Sequence, residues 1–223
     1  DSLDGKTIGL YASFKEYHPY LMCEVERQLQ ARYPTTKFIH YCYKADTTEI
    51  DQDPENYPSF CAWLNSVDGV IGCGADAGSC ALYVGYIFAH MEKLGKPVLL
   101  LTDSHYISSA TRGAASRGYP ALRQVVLVNQ LQNRDLNCDM TAEVSRSYST
   151  EIAEKLDAIV AGLTAPLTDE EQNPTQVPDF ANMKLTGTLD ELNRSFRLPK
   201  RRFRSSCGSP ICPGIMWCAP CRP

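Results

Sequence analysis

Two patterns of apolar residues alternate from the amino terminus to about Leu163. One is the short unbroken run of a buried strand; in the other, apolar residues recur every three or four positions, as on one face of a helix. The first pattern predicts strands over residues 6–13 (KTIGLYAS), 37–43 (KFIHYCY), 69–73 (GVIGC), 97–102 (PVLLLT) and 123–129 (RQVVLVN). The second predicts helices over 19–33, with Leu21, Val25 and Leu29 on one face, and over 57–67, 79–94 and 141–163. Residues 108–118 (SSATRGAASRG) predict a weaker, glycine-containing helix. Gly95 is placed to close the 79–94 helix as a left-handed cap, with Pro97 beyond it.

Strands and helices alternating at this spacing make βαβ units, and unbroken apolar strands are those of a parallel sheet covered on both faces. The expected fold is therefore α/β, a doubly wound parallel sheet of about five strands, flavodoxin-like or Rossmann-like, over residues 1–167. A polar, proline-containing linker and the start of a further segment follow over 168–196, where Thr188 and Glu191 have capping-box spacing. Residues 197–223 read as an irregular, basic, Cys/Pro-rich tail without hydrophobic period, expected to be disordered rather than packed on the core.

Composition narrows the class. The 223 residues suffice for one α/β domain with a sizeable core. An apolar share of 43% and a charged share of 22% are those of a soluble globular chain, and the apolar run at 81–91 is too short for a bilayer. No membrane association is expected. Net charge is −10 before Arg197 and +6 from there on, so nucleic acid is not expected as a partner of the body. The polar, acidic opening has no signal-peptide pattern, and a start at Asp1 in place of Met reads as a processed or fragmentary chain. Six of the ten cysteines (Cys23, Cys42, Cys61, Cys73, Cys80 and Cys138) precede the tail, mostly inside apolar patterns. Such cysteines act as small hydrophobes and point to a reducing, cytoplasmic setting.

In a doubly wound sheet, ligands sit outside the carboxyl ends of the strands. That rule selects Lys15 and His18 after the first strand, Lys44 after the second and the loop GCGADAGSC after the third. It also selects Asp103 and His105 after the fourth, and Asn129 at the end of the fifth. Cys80 is expected in the first turn of a helix, where free N–H groups and the helix dipole favour a thiolate. Gly72, Gly74 and Gly78 permit a tight turn there, so the amides of Ser79 to Ala81 can receive a substrate oxyanion. The same cradle without catalysis binds a phosphate or carboxylate. In the plainest reading, small residues pack strand on helix and Cys80 is inert.

Lys15 and Lys44 are candidate anchors for a carboxylate substrate, and His18 and His105 candidate acid–base partners of Cys80. Asp76 is placed to hold a lysine or cap the helix, the cap being favoured. His90, about three turns beyond Cys80, reads as a packing residue or one that faces the dipole at the helix C-terminus. The spacing G-x-G-x-x-x-G after a third strand fits neither nucleotide fingerprint, so no cofactor is expected. Cys207, Cys212, Cys218 and Cys221 include one C-x-x-C pair, Cys218 and Cys221, but a knot built on them would be tiny; an extraneous basic peptide is the stronger reading and no metal is expected.

The segment GADAGSC, residues 74–80, resembles the motif of the UGSC family, in which selenocysteine or cysteine is followed by Gly, Ser and Cys after a central strand. Lys15 and Lys44 after the first two strands, DGVIGCGADAGSC leading through a helix to LGKPVLLLT, and ATRGAASRGYPALRQVVLVN resemble the family as well. The resemblance covers about residues 3–163 and implies an α/β fold and a redox-active thiol site, as in a selenoprotein homologue. One position departs: Ala77 stands where the family carries its first chalcogen. That removes a two-chalcogen couple from the motif and favours a single-thiol role for Cys80, with Cys73 as candidate second thiol. Relatives continue past a segment similar to TLDELNRSF into Gly-Trp-Thr-Asp-Gly-Leu-Pro; here the Cys-rich tail follows, as after a truncation or frameshift.

The expected function is a cysteine-dependent enzyme (an oxidoreductase, lyase or transferase) acting on a small carboxylate-bearing metabolite. Its expected partners are that anion, a thiol reductant and a second copy of the chain. Two alternatives stay open: a non-catalytic anion- or metabolite-binding module, and a cofactor-independent racemase or isomerase. The latter needs a second thiol opposite Cys80, which residues 125–130 do not offer.

Overall fold

The computed structural model describes residues 2–13, 17–43, 50–75, 78–127 and 140–172, the side chains of 75, 140–147 and 170 excepted. Five strands, β1 (Thr7–Ala12), β2 (Lys37–Cys42), β3 (Gly69–Ala75), β4 (Val98–Asp103) and β5 (Gln124–Leu127), form one sheet in the order β2-β1-β3-β4-β5. All four pairings are parallel. The helices between them are α1 (His18–Arg32), α2 (Tyr57–Asn65), α3 (Gly78–Lys93) and α4 (Ile107–Ser116); α5 (Met140–Thr164) and the one-turn α6 (Asp169–Gln172) follow β5. A 3-10 turn at Ile50–Gln52, not predicted from the sequence, precedes α2.

Side chains alternate across each strand and divide the core in two. On one face Leu10, Ile71, Leu99 and Leu101 meet Leu21, Val25 and Leu29 of α1 and Ile152, Ile159 and Leu163 of α5. On the other, Tyr11, Val70, Val98 and Leu100 meet Phe60 and Trp63 of α2, Val84 and Phe88 of α3 and Ala110 of α4. This is the doubly wound α/β fold expected, and the strand order is the flavodoxin-like one, with its reversal of direction between β1 and β3. The two edge strands are the less buried ones: Lys37, Ile39 and His40 of β2 are exposed, and in β5 buried Val125 and Leu127 alternate with half-buried Gln124 and Val126.

Close packing on the second face rests on two glycines. A Cβ at Gly85 of α3 would lie 2.2 Å from the carbonyl oxygen of Ala110 in α4. A Cβ at Gly113 of α4 would lie 2.2 Å from the carbonyl oxygen of Leu82. The two helices thus touch backbone to backbone. Gly95 has φ +81°, the left-handed cap expected after α3.

The stretch after Leu167, read from sequence as linker, opens with α6. Thr168 and Glu171 make a reciprocal capping box: the Thr168 N–H donates to Glu171 Oε2 at 2.7 Å and the Glu171 N–H to Thr168 Oγ1 at 3.3 Å. Glu171 is buried and pairs with the Arg123 guanidinium, which also donates to the carbonyls of Gly162, Ala165 and Pro166. One side chain thereby ties the start of β5 to the end of α5 and to α6. The chain groups into two units, Asp1–Val177 and Pro178–Pro223. The expectations for Thr188, Glu191 and the tail cysteines fall in the second, outside the described residues.

Glu92, in the last turn of α3, accepts the Val98 N–H at 3.0 Å, and burial pushes its carboxyl up from 4.5 to about 7. In the unfolded chain it ionises first, so its contribution to stability is full below pH 4.5 and is lost as pH rises through about 7. The expected loss is up to about 3 kcal/mol. His90, pushed down by burial, acts in the opposite sense nearby, so the comparison that isolates Glu92 is with Glu92→Gln. Urea denaturation near pH 5 and near pH 8 is expected to show that Glu92→Gln gains on the parent as pH rises; parallel pH profiles would refute the assignment.

Candidate functional site

The carboxyl ends of the strands bring the candidate chemistry to one rim, and β3 and β1 meet there most closely. Register between β3 and β4 shifts at Cys73/Ala75. Gly74 takes φ +142°, and a Cβ on it would lie 2.6 Å from Val84 Cγ2 and 2.9 Å from Ser13 Oγ. The bulge lets the end of β3 pass between the end of β1 and the body of α3, which only glycine allows at this φ and distance.

Beyond the bulge α3 begins at Gly78, with Gly78 and Ser79 exposed, Cys80 half-buried and Ala81 buried in the core. Among the described residues, a Cβ on Gly78 would meet nothing within 4 Å. The first four N–H groups of a helix lack partners within it, so the turn carrying Cys80 presents donors to an anion.

At the end of β4 stands a pair that sequence reading did not assemble. Asp103 Oδ1 accepts the backbone N–H of His105 at 2.7 Å and lies 2.9 Å from His105 Nδ1. The Asp103 side chain is 1% exposed and that of His105 73% exposed, so a buried carboxylate holds an imidazole whose Nε2 faces outward. Nε2 has no protein partner among the described residues. A proton kept on Nδ1 by the carboxylate leaves Nε2 as the basic nitrogen, the arrangement of an oriented general base. The signal was in the sequence: Asp two residues before His at a strand end is an Asx turn. The other oxygen, Asp103 Oδ2, is buried without a hydrogen-bond partner among the described residues.

His18, expected at the rim as an acid–base group, is the first residue of α1; it is buried, with Nδ1 2.9 Å from Ser13 Oγ. Its carbonyl accepts the Cys73 S–H at 3.8 Å. Cys73 is fully buried and burial pushes its thiol well up, which withholds it from thiolate chemistry. His90 packs as the sequence suggested, half-buried with Nε2 3.1 Å from the Tyr57 hydroxyl. Cys23 and Cys42 are exposed and Cys61 half-buried, so the described cysteines are less sequestered than apolar patterning implied; none of the five is in a disulfide. Lys15, Lys44, Asp76, Ala77, Asn129 and Cys138 lie outside the described residues.

A crevice of about 270 Å³, counted to its open mouth, lies between α1, α5 and the ends of β3, β4 and β5. Tyr17, His18, Cys73, Thr102, Asp103 and Tyr148 line it, with leucines below; Cys80 does not. A larger hollow of about 810 Å³ lies at the opposite end of the sheet, beside Lys6, Asp68 and Pro97. The amino ends of the strands present neither the helix N-termini nor the Asp–His pair, so the smaller crevice is the functional candidate. Among the described residues no three His, Cys, Asp or Glu cluster as metal ligands, and no helix is long and apolar enough to cross a membrane.

Comparison with family models matches residues 1–158 to the UGSC family. Comparison with curated proteins finds no match.

Proposed function

The chain belongs to the UGSC family, and on that premise we propose that its α/β domain is a thiol-dependent enzyme acting on a small carboxylate-bearing metabolite. Cys80 is the nucleophile or redox thiol, and the Asp103–His105 pair is its acid–base partner. The observation that carries the reading is the buried Asp103 carboxylate orienting an exposed imidazole on the rim where Cys80 opens α3. The free amides of the first turn of α3 receive the substrate's negative charge, and Lys15 and Lys44 belong to the same proposal as further anchors. In the nucleophilic form of the step, the Cys80 thiol passes its proton to His105 Nε2 as sulfur bonds to an electrophilic carbon. The imidazolium then returns that proton to the departing group. In the redox form the substrate gives up an oxygen atom and is reduced by two electrons as Cys80 becomes a sulfenic acid, which a thiol reductant returns to the thiol with release of water, in keeping with a reducing, cytoplasmic setting.

A non-catalytic anion-binding module is the second reading, favoured by Ala77 in place of the first chalcogen. Cys80→Ser separates them: a binding module keeps its ligand affinity, whereas the enzyme loses turnover. The first test needs no substrate. By exposure alone, iodoacetamide at neutral pH should reach Cys23 and Cys42 before half-buried Cys80. Burial and Glu26 push the Cys23 thiol up, which makes it a slow internal reference. Peptide mass spectrometry is expected to find Cys80 labelled first, by about tenfold or more over Cys23. Labelling in the order of exposure sinks the nucleophile role.

A further inference from the structure

Asp103, one of the residues that line the crevice, has one oxygen that the acid–base pair does not use. Asp103 Oδ1 is occupied by both N–H groups of His105, yet Oδ2 is buried and has no hydrogen-bond partner among the described residues. A buried carboxylate oxygen without a donor is expensive, and a buried charge is tolerated when a partner of opposite sign completes it. The described lining offers no lysine or arginine: Tyr17, Cys73, Thr102 and Tyr148 are neutral, and His18 Nδ1 is engaged with Ser13. The unmet demand is for a donor that carries positive charge and fits a narrow space.

We propose that Asp103 Oδ2 receives the ammonium group of the substrate, which makes the substrate a small amino acid: its carboxylate goes to the first turn of α3 and its ammonium enters the crevice. This deepens the function proposed above and rests on it. A hydroxyl in the same place donates without neutralising, and a hydrogen neither donates nor neutralises. The affinity order therefore follows from one atom: ammonium above hydroxyl above hydrogen.

The probes are L-alanine, L-lactate and propionate, alike except at that position, with ethylamine as the amine lacking a carboxylate. Thermal unfolding at rising probe concentration gives each apparent affinity. L-alanine is expected to bind about tenfold or more tightly than propionate, with L-lactate between them and ethylamine weak. His105→Ala, which removes the ring donor to Oδ1 but keeps the main-chain one and leaves Oδ2 in place, keeps the preference; Asp103→Asn removes it. Cys80→Ser keeps it too, so a failed thiol test leaves this result legible, and a failed preference leaves the labelling result standing. Equal binding of L-alanine and propionate by the parent protein, as when a water satisfies Oδ2, overturns the proposal. So does stabilisation by none of the probes, or a preference that survives Asp103→Asn.

Discussion

Replacing Arg123 with Ala is expected to cost about 3–5 kcal/mol, the usual consequence of removing one partner from a buried ion pair. Glu171 would be left 5% exposed with its carboxylate unpaired, and three carbonyls at the end of α5 would lose their donor. The loss should be nearly independent of salt, because screening acts on exposed charges and the Arg123 side chain is 11% exposed. Arg123→Met combined with Glu171→Leu is expected to recover most of it, since the isolated charge is then gone. Urea denaturation of the single and double variants measures both effects. A cost below about 1 kcal/mol for Arg123→Ala, as for a surface pair, would contradict the burial described.

The other large effect is expected at the contact of α3 with α4. Gly85→Ala places a methyl 2.2 Å from the Ala110 carbonyl oxygen, and backbone cannot rotate away as a side chain can. Overpacking of this kind costs about 1–3 kcal/mol and sometimes more, against about 1 kcal/mol that alanine returns in helix propensity. We expect a net loss of about 2 kcal/mol, a fall in Tm of about 4–8 °C for a domain of this size. Gly113→Ala meets the Leu82 carbonyl oxygen at the same distance, and the double variant should cost less than the sum, because helices already separated have room for a second methyl. Additive losses would mean the helices are not sharing one contact. The same displacement moves the first turn of α3, so Cys80 labelling should change in Gly85→Ala.

Which of these features were legible beforehand follows from how local they are. Strands and helices came within a few residues, since apolar runs and three-to-four spacing are written in neighbouring positions, and the Gly95 cap likewise. The order β2-β1-β3-β4-β5 was not legible, because pairing partners are chosen by tertiary packing. Helix α6 was hidden by its polar composition, although Thr168 and Glu171 carry the same spacing that was noticed at Thr188 and Glu191. His18 was placed by its position after β1; its burial against Ser13 and Tyr17 depends on packing that no single stretch reveals. Asp103 was seen as a residue at a strand end, but its empty second oxygen is a property of the assembled crevice alone.

The Asp103–His105 pair divides its two requirements between different scales. Aim is short-range: one oxygen gathers a main-chain and a ring N–H two residues away, so three consecutive residues set the imidazole's direction. Dryness is communal, supplied by α1, α5 and the neighbouring strands around the carboxylate. Drift in the surrounding helices would therefore wet the pair before it misaligned it. Loss of function along such a route would be graded, a fading of strength with direction preserved, rather than abrupt.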